Sequence, residues 1–140
     1  EEAGIGHLVN KYKGTKKLDT DVYLVGHHGA ANATNTTLLQ AVTPRIAVIA
    51  MGKWNDGQSP YSPFSTYAYG HPRTNTLDLL SMSIPDAREP VLTVKAGDGA
   101  RKFSEYEVEK RIYATGWDGT VAIKATLEGE YSVTLGEPKN

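Results

Sequence analysis

The chain contains no cysteine. Disulfide frameworks, zinc sites built on thiolates and a cysteine nucleophile are therefore excluded. An excess of one charge is also missing. Fifteen Lys+Arg stand against sixteen Asp+Glu in 140 residues, a net charge of −1. Bulk electrostatics thus gives no argument for nonspecific nucleic-acid binding, while a local phosphate site stays compatible. No apolar run approaches the ~20 residues needed to cross a bilayer, so no membrane segment is expected. The polar start Glu1-Glu2-Ala3-Gly4 is not a signal peptide. The chain reads as soluble; both the cytoplasm and export after removal of a leader stay open. What is present, 39% hydrophobic and 22% charged residues, fits one globular domain spanning residues 1–140. A chain of this length buries roughly 68–70% of its unfolded surface and needs no staple.

Periodicity supplies the elements. Ile5, Leu8, Val9 and Tyr12 fall at helical spacing, with Lys11 and Lys13 at the cationic end and Gly14 as the stop. Lys16 to Thr20 reads as a loop. Asp21 to Val25 is apolar without alternation, as in a strand covered on both faces. Asn35 or Thr36 caps a short helix through Leu38, Leu39, Ala41 and Val42, stopped before Pro44, and Ile46 to Ala50 is a second apolar strand. Strand, helix, strand with short connections predicts an α/β unit. Met51 to Pro72 reads as a long loop, interrupted by Pro60 and Pro63, and loops beyond about 12–15 residues are more often functional than incidental. A second helix starts at Thr74 or Asn75 and is expected to bury Leu77, Leu79 or Leu80, and Met82. Val91 to Val94 follows as a strand, with a turn at Gly97-Asp98-Gly99. The last third reads as purely β, with a hairpin at Gly116-Trp117-Asp118-Gly119 and a turn at Glu128-Gly129-Glu130.

Four histidines carry the candidate chemistry. His7 lies beside the apolar stripe of the first helix and reads as a surface or packing residue. His27 and His28 follow an apolar strand directly and stand between Gly26 and Gly29, which allow a sharp turn and close backbone approach. Open α/β sheets bind ligands beyond the carboxyl ends of their strands, and imidazole is a common ligand for Zn, Mn or Fe. The alternative is a polar loop in which one histidine caps a backbone carbonyl. His71, in Tyr69-Gly70-His71-Pro72, is held in extended geometry by the following proline. It is a further site candidate or an exposed loop histidine. Tyr61, Phe64 and Tyr67 line a pocket beside it or pack the loop.

Taken together, Val25-Gly26-His27-His28-Gly29-Ala30, Pro44 with Ala47-Val48-Ile49, Asn55, and Tyr69-Gly70-His71-Pro72 resemble a known family. They look like the C-terminal half of a metallo-β-lactamase-fold hydrolase, closest to the hydrolase domain of the bacterial competence DNA-uptake protein ComEC. Ile112 to Thr115 and Gly119 to Ile123 are similar to the closing hairpin of that branch. The likeness spans roughly Asp21 to Ile123. It implies half of an αββα sandwich, with a mixed sheet, flanking helices and a closing β-hairpin. It also implies that His27 or His28 is a metal ligand, and that His71 completes coordination or contacts a scissile phosphate. Metal pairs in such hydrolases lower the pKa of a bridging water towards 7 and clamp the attacked oxygen.

The departures from the family pattern matter equally. The family's His-x-His-x-Asp-His motif and the Gly-Asp that supplies a bridging carboxylate are absent, and Ala30 stands where relatives usually have Ser. Asp56, Asp98 and Asp118 occupy none of the family's ligand positions and read as turn residues. A divalent metal, Zn or Mn, is therefore expected only if the N-terminal half of the same fold, or another chain, supplies the remaining ligands. Three readings follow. The first is part of a metal-dependent hydrolase acting on phosphodiester or related ester bonds. The second is a noncatalytic half-fold module that covers its exposed sheet face by homodimerising, or that binds a partner or small ligand. The third is an α/β domain whose histidines are structural.

Overall fold

Three short apolar runs form the centre of the fold. The computed structural model describes residues 2–53 and 66–136. In chain order its elements are α1 (Glu2–Lys11), β1 (Val22–Val25), a 3-10 turn (Gly26–Gly29), α2 (Thr36–Val42), β2 (Ile46–Ile49), α3 (Thr66–Tyr69) and α4 (Thr74–Ser83). There follow β3 (Ala87–Gly99), β4 (Lys102–Lys110), β5 (Ile112–Ala114), α5 (Thr115–Asp118), β6 (Val121–Ala125) and β7 (Tyr131–Leu135). The fold is α/β. No helix of the described residues is long and apolar enough to cross a membrane.

The strands do not join into the single mixed sheet expected. Among the described residues β1, β2 and β5 form a parallel sheet in the order β1-β2-β5, while β3-β4 and β6-β7 are separate antiparallel hairpins. The parallel register pairs Leu24 with Val48, and Val48 with Tyr113. Because side chains alternate across a strand, Tyr23, Val25, Ala47, Ile49, Ile112 and Ala114 share one face. That face belongs to the core, with Leu39 of α2, Leu77 and Leu80 of α4, Ile84, and Val94, Ala96 and Val108 of the β3-β4 hairpin. Burying each large aliphatic side chain is worth about 1.5–3 kcal/mol. The opposite face is less covered. Leu24 there is 66% exposed and Val48 half-buried, although parallel sheets are ordinarily covered on both sides.

Local chemistry explains the helix ends. The Asn35 side chain accepts a hydrogen bond from the Leu38 N–H at 2.9 Å, and Thr43 ends α2 in a left-handed conformation just before Pro44. Leu77 and Leu80 of α4, with Ile84 just after its end, line the core side. Met82, expected inside, is 84% exposed, since it falls about 140° around the helix from Leu77. The β3 strand also runs well beyond Val91–Val94, and Gly97-Asp98-Gly99 lies within its end; the reversal is at Ala100-Arg101.

The expected hairpin at Gly116-Trp117-Asp118-Gly119 is instead a single helical turn after β5, and Ile112–Ala114 pairs with β2. Asp118 accounts for the difference. Its carboxylate accepts the Ala114 N–H at 2.9 Å and the Arg88 guanidinium at 2.7 Å, with both charged side chains almost fully buried. Arg88 also donates to the Ile112 carbonyl at 2.9 Å and lies over the Tyr113 ring. Asp118 is therefore a buried ion-pair partner, not a simple turn residue. The closing hairpin is β6-β7. It is tied back by the Tyr131 hydroxyl donating to Asp21 at 2.9 Å and by Arg111 donating to the Tyr131 carbonyl.

Candidate functional site

At the carboxyl end of β1 the chain makes the 3-10 turn Gly26-His27-His28-Gly29. Both histidines there have left-handed backbones, φ 47° and 56°. Such conformations cost a non-glycine residue about 1–2 kcal/mol each, and they concentrate where function fixes the backbone. The turn is pressed against the segment after His71. A Cβ on Gly29, whose φ is +81°, would stand 2.5 Å from the Pro72 side chain. The Arg73 N–H donates to the Gly29 carbonyl at 2.9 Å, and the Gly97 N–H donates to the Pro72 carbonyl at 2.8 Å. Residues 71–73 are thus stitched between the histidine turn and β3. Gly97 is in the strand for the same reason: a side chain there would collide with the Gly70 carbonyl.

This stitching brings the three predicted site residues together. The ring centres of His27 and His71 are 5.6 Å apart, and those of His27 and His28 are 6.3 Å apart. Two imidazoles sharing one tetrahedral ion have ring centres on the order of 5 Å apart. His28 is oriented by the end of β2, its Nδ1 lying 2.5 Å from the Ala50 carbonyl oxygen. With Nδ1 as the donor, Nε2 carries the lone pair, the arrangement that carbonyl-tethered metal-binding histidines use. The same contact satisfies the alternative of a histidine capping a carbonyl. His71 Nδ1 is buried and has no hydrogen-bond partner among the described residues. Burial, then the Arg73 charge, then His27 hold the His71 pKa below its ordinary value of 6.5. Its neutral form therefore prevails near pH 7. His7 lies on α1 with its side chain exposed.

The orphaned Nδ1 of His71 and the tethered ring of His28 suit the imidazole portion of a metal centre. They do not complete one. Among the described residues no group of three or more His, Cys, Asp or Glu side chains is arranged to hold a metal ion. Asp118 is buried with Arg88, and Asp98 accepts the hydroxyls of Thr74 and Ser104 on Oδ1. Asn55, Asp56, Tyr61 and Phe64 lie outside the described residues, and Tyr67 falls in α3. Ala30 is buried beside the turn.

Beyond the histidines opens a cavity of about 770 Å³, lined among others by Tyr69, His71, Arg73, Asp78 and Asp98. Tyr69 stacks on His71 with ring centres 6.0 Å apart and an interplanar angle of 18°. Arg73 makes no ion pair among the described residues. Sequence reasoning missed Tyr69, Arg73 and Asp78 as site residues. The signal available was their place: each flanks Gly70-His71-Pro72 or follows it by about two helical turns.

Over 41 residues the chain is 44% identical to part of Recombination protein 2 of Haemophilus influenzae. The match takes in 29% of this chain and 5% of that protein, so the chain spans only a small fraction of its relative. No family model matches the sequence, and no solved structure matches it.

Proposed function

We propose that this chain is part of a metal-dependent hydrolase of phosphodiester or related ester bonds, built as the C-terminal half of a metallo-β-lactamase-type αββα sandwich. The observation that carries the reading is the gathering of His27, His28 and His71 at one rim of the parallel sheet. The part-covered sheet face bearing Leu24 and Val48 supports it, because a second sheet packed there would complete the sandwich. The similarity to a protein whose name speaks of recombination is in keeping with a phosphodiester substrate.

In this reading His27, His28 and His71 contribute imidazoles to a Zn or Mn centre, and the N-terminal half of the fold or a second copy contributes the carboxylates. His71, neutral near pH 7 and close to Arg73, also contacts the phosphate. Arg73 balances the charge of the bound anion. A second reading, a noncatalytic module that dimerises or binds a partner, is favoured by the lack of a carboxylate in the imidazole cluster among the described residues.

Calorimetric titration with Zn²⁺ and Mn²⁺ separates the two. The hydrolase reading expects metal binding that falls at least tenfold in His28→Ala, and phosphodiester cleavage that appears with the complementary half and is lost in the same variant. Metal affinity unchanged by His28→Ala, in a chain that forms a metal-free dimer, would establish the module instead.

A further inference from the structure

We infer that Thr115 is a positioning residue for His28: its hydroxyl fixes the Ala50–Met51 peptide, and the carbonyl of that peptide holds the His28 ring with the proton on Nδ1 and the lone pair on Nε2. This deepens the hydrolase reading by adding a residue behind one of its imidazoles, and it rests on that reading only for His28 being a metal ligand.

The arrangement begins where a strand ladder ends. β5 pairs with β2 as far as Ala114 opposite Ile49, and the chain then leaves the sheet as the helical turn α5. The peptide just beyond β2, Ala50–Met51, therefore has no strand neighbour on that side. The Thr115 side chain takes the place of one. Its Oγ1 donates to the Met51 carbonyl at 2.7 Å and accepts the Met51 N–H at 2.9 Å. These roles are forced. A carbonyl can only accept, so the hydroxyl proton points there and the oxygen lone pairs are left for the N–H. Thr115 is itself held in place, because Asp118 accepts the N–H of the preceding Ala114 at 2.9 Å and is paired with buried Arg88.

The Met51 N–H and the Ala50 carbonyl are opposite ends of one planar peptide unit. Anchoring the N–H fixes that plane, and with it the direction of the carbonyl, which lies 2.5 Å from His28 Nδ1. A hydrogen bond at the N–H end also polarises the amide and strengthens its oxygen as an acceptor. Because that oxygen only accepts, Nδ1 carries the proton and Nε2 keeps the lone pair that a metal ion needs. His28 is exposed, so burial does not choose its tautomer. An imidazole side chain free in water prefers the proton on Nε2, the form that cannot ligate through that atom. The route from Thr115 through the peptide to His28 reverses this preference.

The test uses the full chain without metal. Imidazole ¹H–¹⁵N correlation at about pH 8.5, well above the ordinary histidine pKa, reads the tautomer of each ring. Wild type is expected to hold the His28 proton on Nδ1. Thr115→Val, which keeps the shape and removes the hydroxyl, moves His28 towards the Nε2–H form and speeds hydrogen exchange at the Met51 amide about tenfold. Thr115→Ser, which keeps the hydroxyl, leaves both as in wild type. Thr115 is exposed, and Thr115→Ala gives the same comparison if the valine variant does not fold. In calorimetric titration Thr115→Val binds Zn²⁺ about tenfold more weakly than wild type, and Thr115→Ser equally well. A wild-type His28 with its proton on Nε2, a tautomer unchanged in the folded valine or alanine variant, or an equal change at His71 overturns the inference. A wild type that binds no Zn²⁺, or a tautomer that moves while Zn²⁺ affinity stays the same, counts against the hydrolase reading instead, and the tautomer comparison still decides the role of Thr115.

Discussion

Replacing Gly29 with alanine probes the join between the histidine turn and the His71 segment. Two costs add in this variant. Alanine at φ +81° carries a left-handed penalty of about 1–2 kcal/mol. Its Cβ would also stand 2.5 Å from the Pro72 side chain and 3.1 Å from the Pro72 Cα, a packed contact with little room to relax. Overpacking of this kind adds about 1–3 kcal/mol. Gly14 provides the control. Its φ is +76°, yet nothing lies within 4 Å of an added Cβ, so Gly14→Ala has the backbone penalty alone. Urea denaturation should therefore show Gly29→Ala less stable than Gly14→Ala by about 1–3 kcal/mol. At a slope of about 2 kcal/mol per M, the two midpoints would differ by about 0.5–1.5 M. Gly29→Ala should also weaken Zn²⁺ binding, since the turn and His71 must move apart. Equal midpoints for the two variants would refute the claim that the turn is wedged against Pro72.

Two further outcomes follow from buried groups. Asp118→Ala leaves the Arg88 charge buried and the Ala114 N–H without its partner, and should destabilise the chain by about 3–5 kcal/mol in chemical denaturation. The Arg88→Met/Asp118→Leu double variant should recover much of that loss; a double variant as unstable as the single one would contradict the assignment. In metal-free protein, the depressed pKa of His71 means that the unfolded chain binds the proton more readily. The stabilisation from neutral His71 is thus fully present above about pH 6.5 and is lost as pH falls through the folded value. Urea midpoints of wild type and His71→Gln, compared from pH 7.5 to 5, should converge or cross as the pH drops, whereas a constant difference would argue against the shift.

Strands β1 and β2 were legible as short apolar runs, α2 and the start of α4 from leucines buried at helical spacing, and the caps Asn35 and Thr43-Pro44 mark the limits of α2. The meeting of two segments at the candidate site was legible where glycine and histidine combine, in Gly26-His27-His28-Gly29 and Gly70-His71-Pro72. Three features were not. The role of Asp118 depends on Arg88, which lies thirty residues away and has no sequence mark linking it to a turn. Gly97 looked like a turn former because the backbone it accommodates, at Gly70, comes from another segment. Met82 was assigned inside because it is apolar, although the helical period places it outside. Local pattern records propensity, whereas contacts between distant segments decide which propensity prevails.

The central claim is that His27, His28 and His71 form one ligand-binding cluster to which His7 does not belong. Two-dimensional NMR of the imidazole ¹⁵N and ¹H signals during Zn²⁺ titration addresses it residue by residue. The account predicts that the rings of His27, His28 and His71 shift together at the first additions of metal while His7 stays in place. Shifts of His7 equal to those of the other three, or a response from His27 and His28 that leaves His71 unchanged, would contradict it.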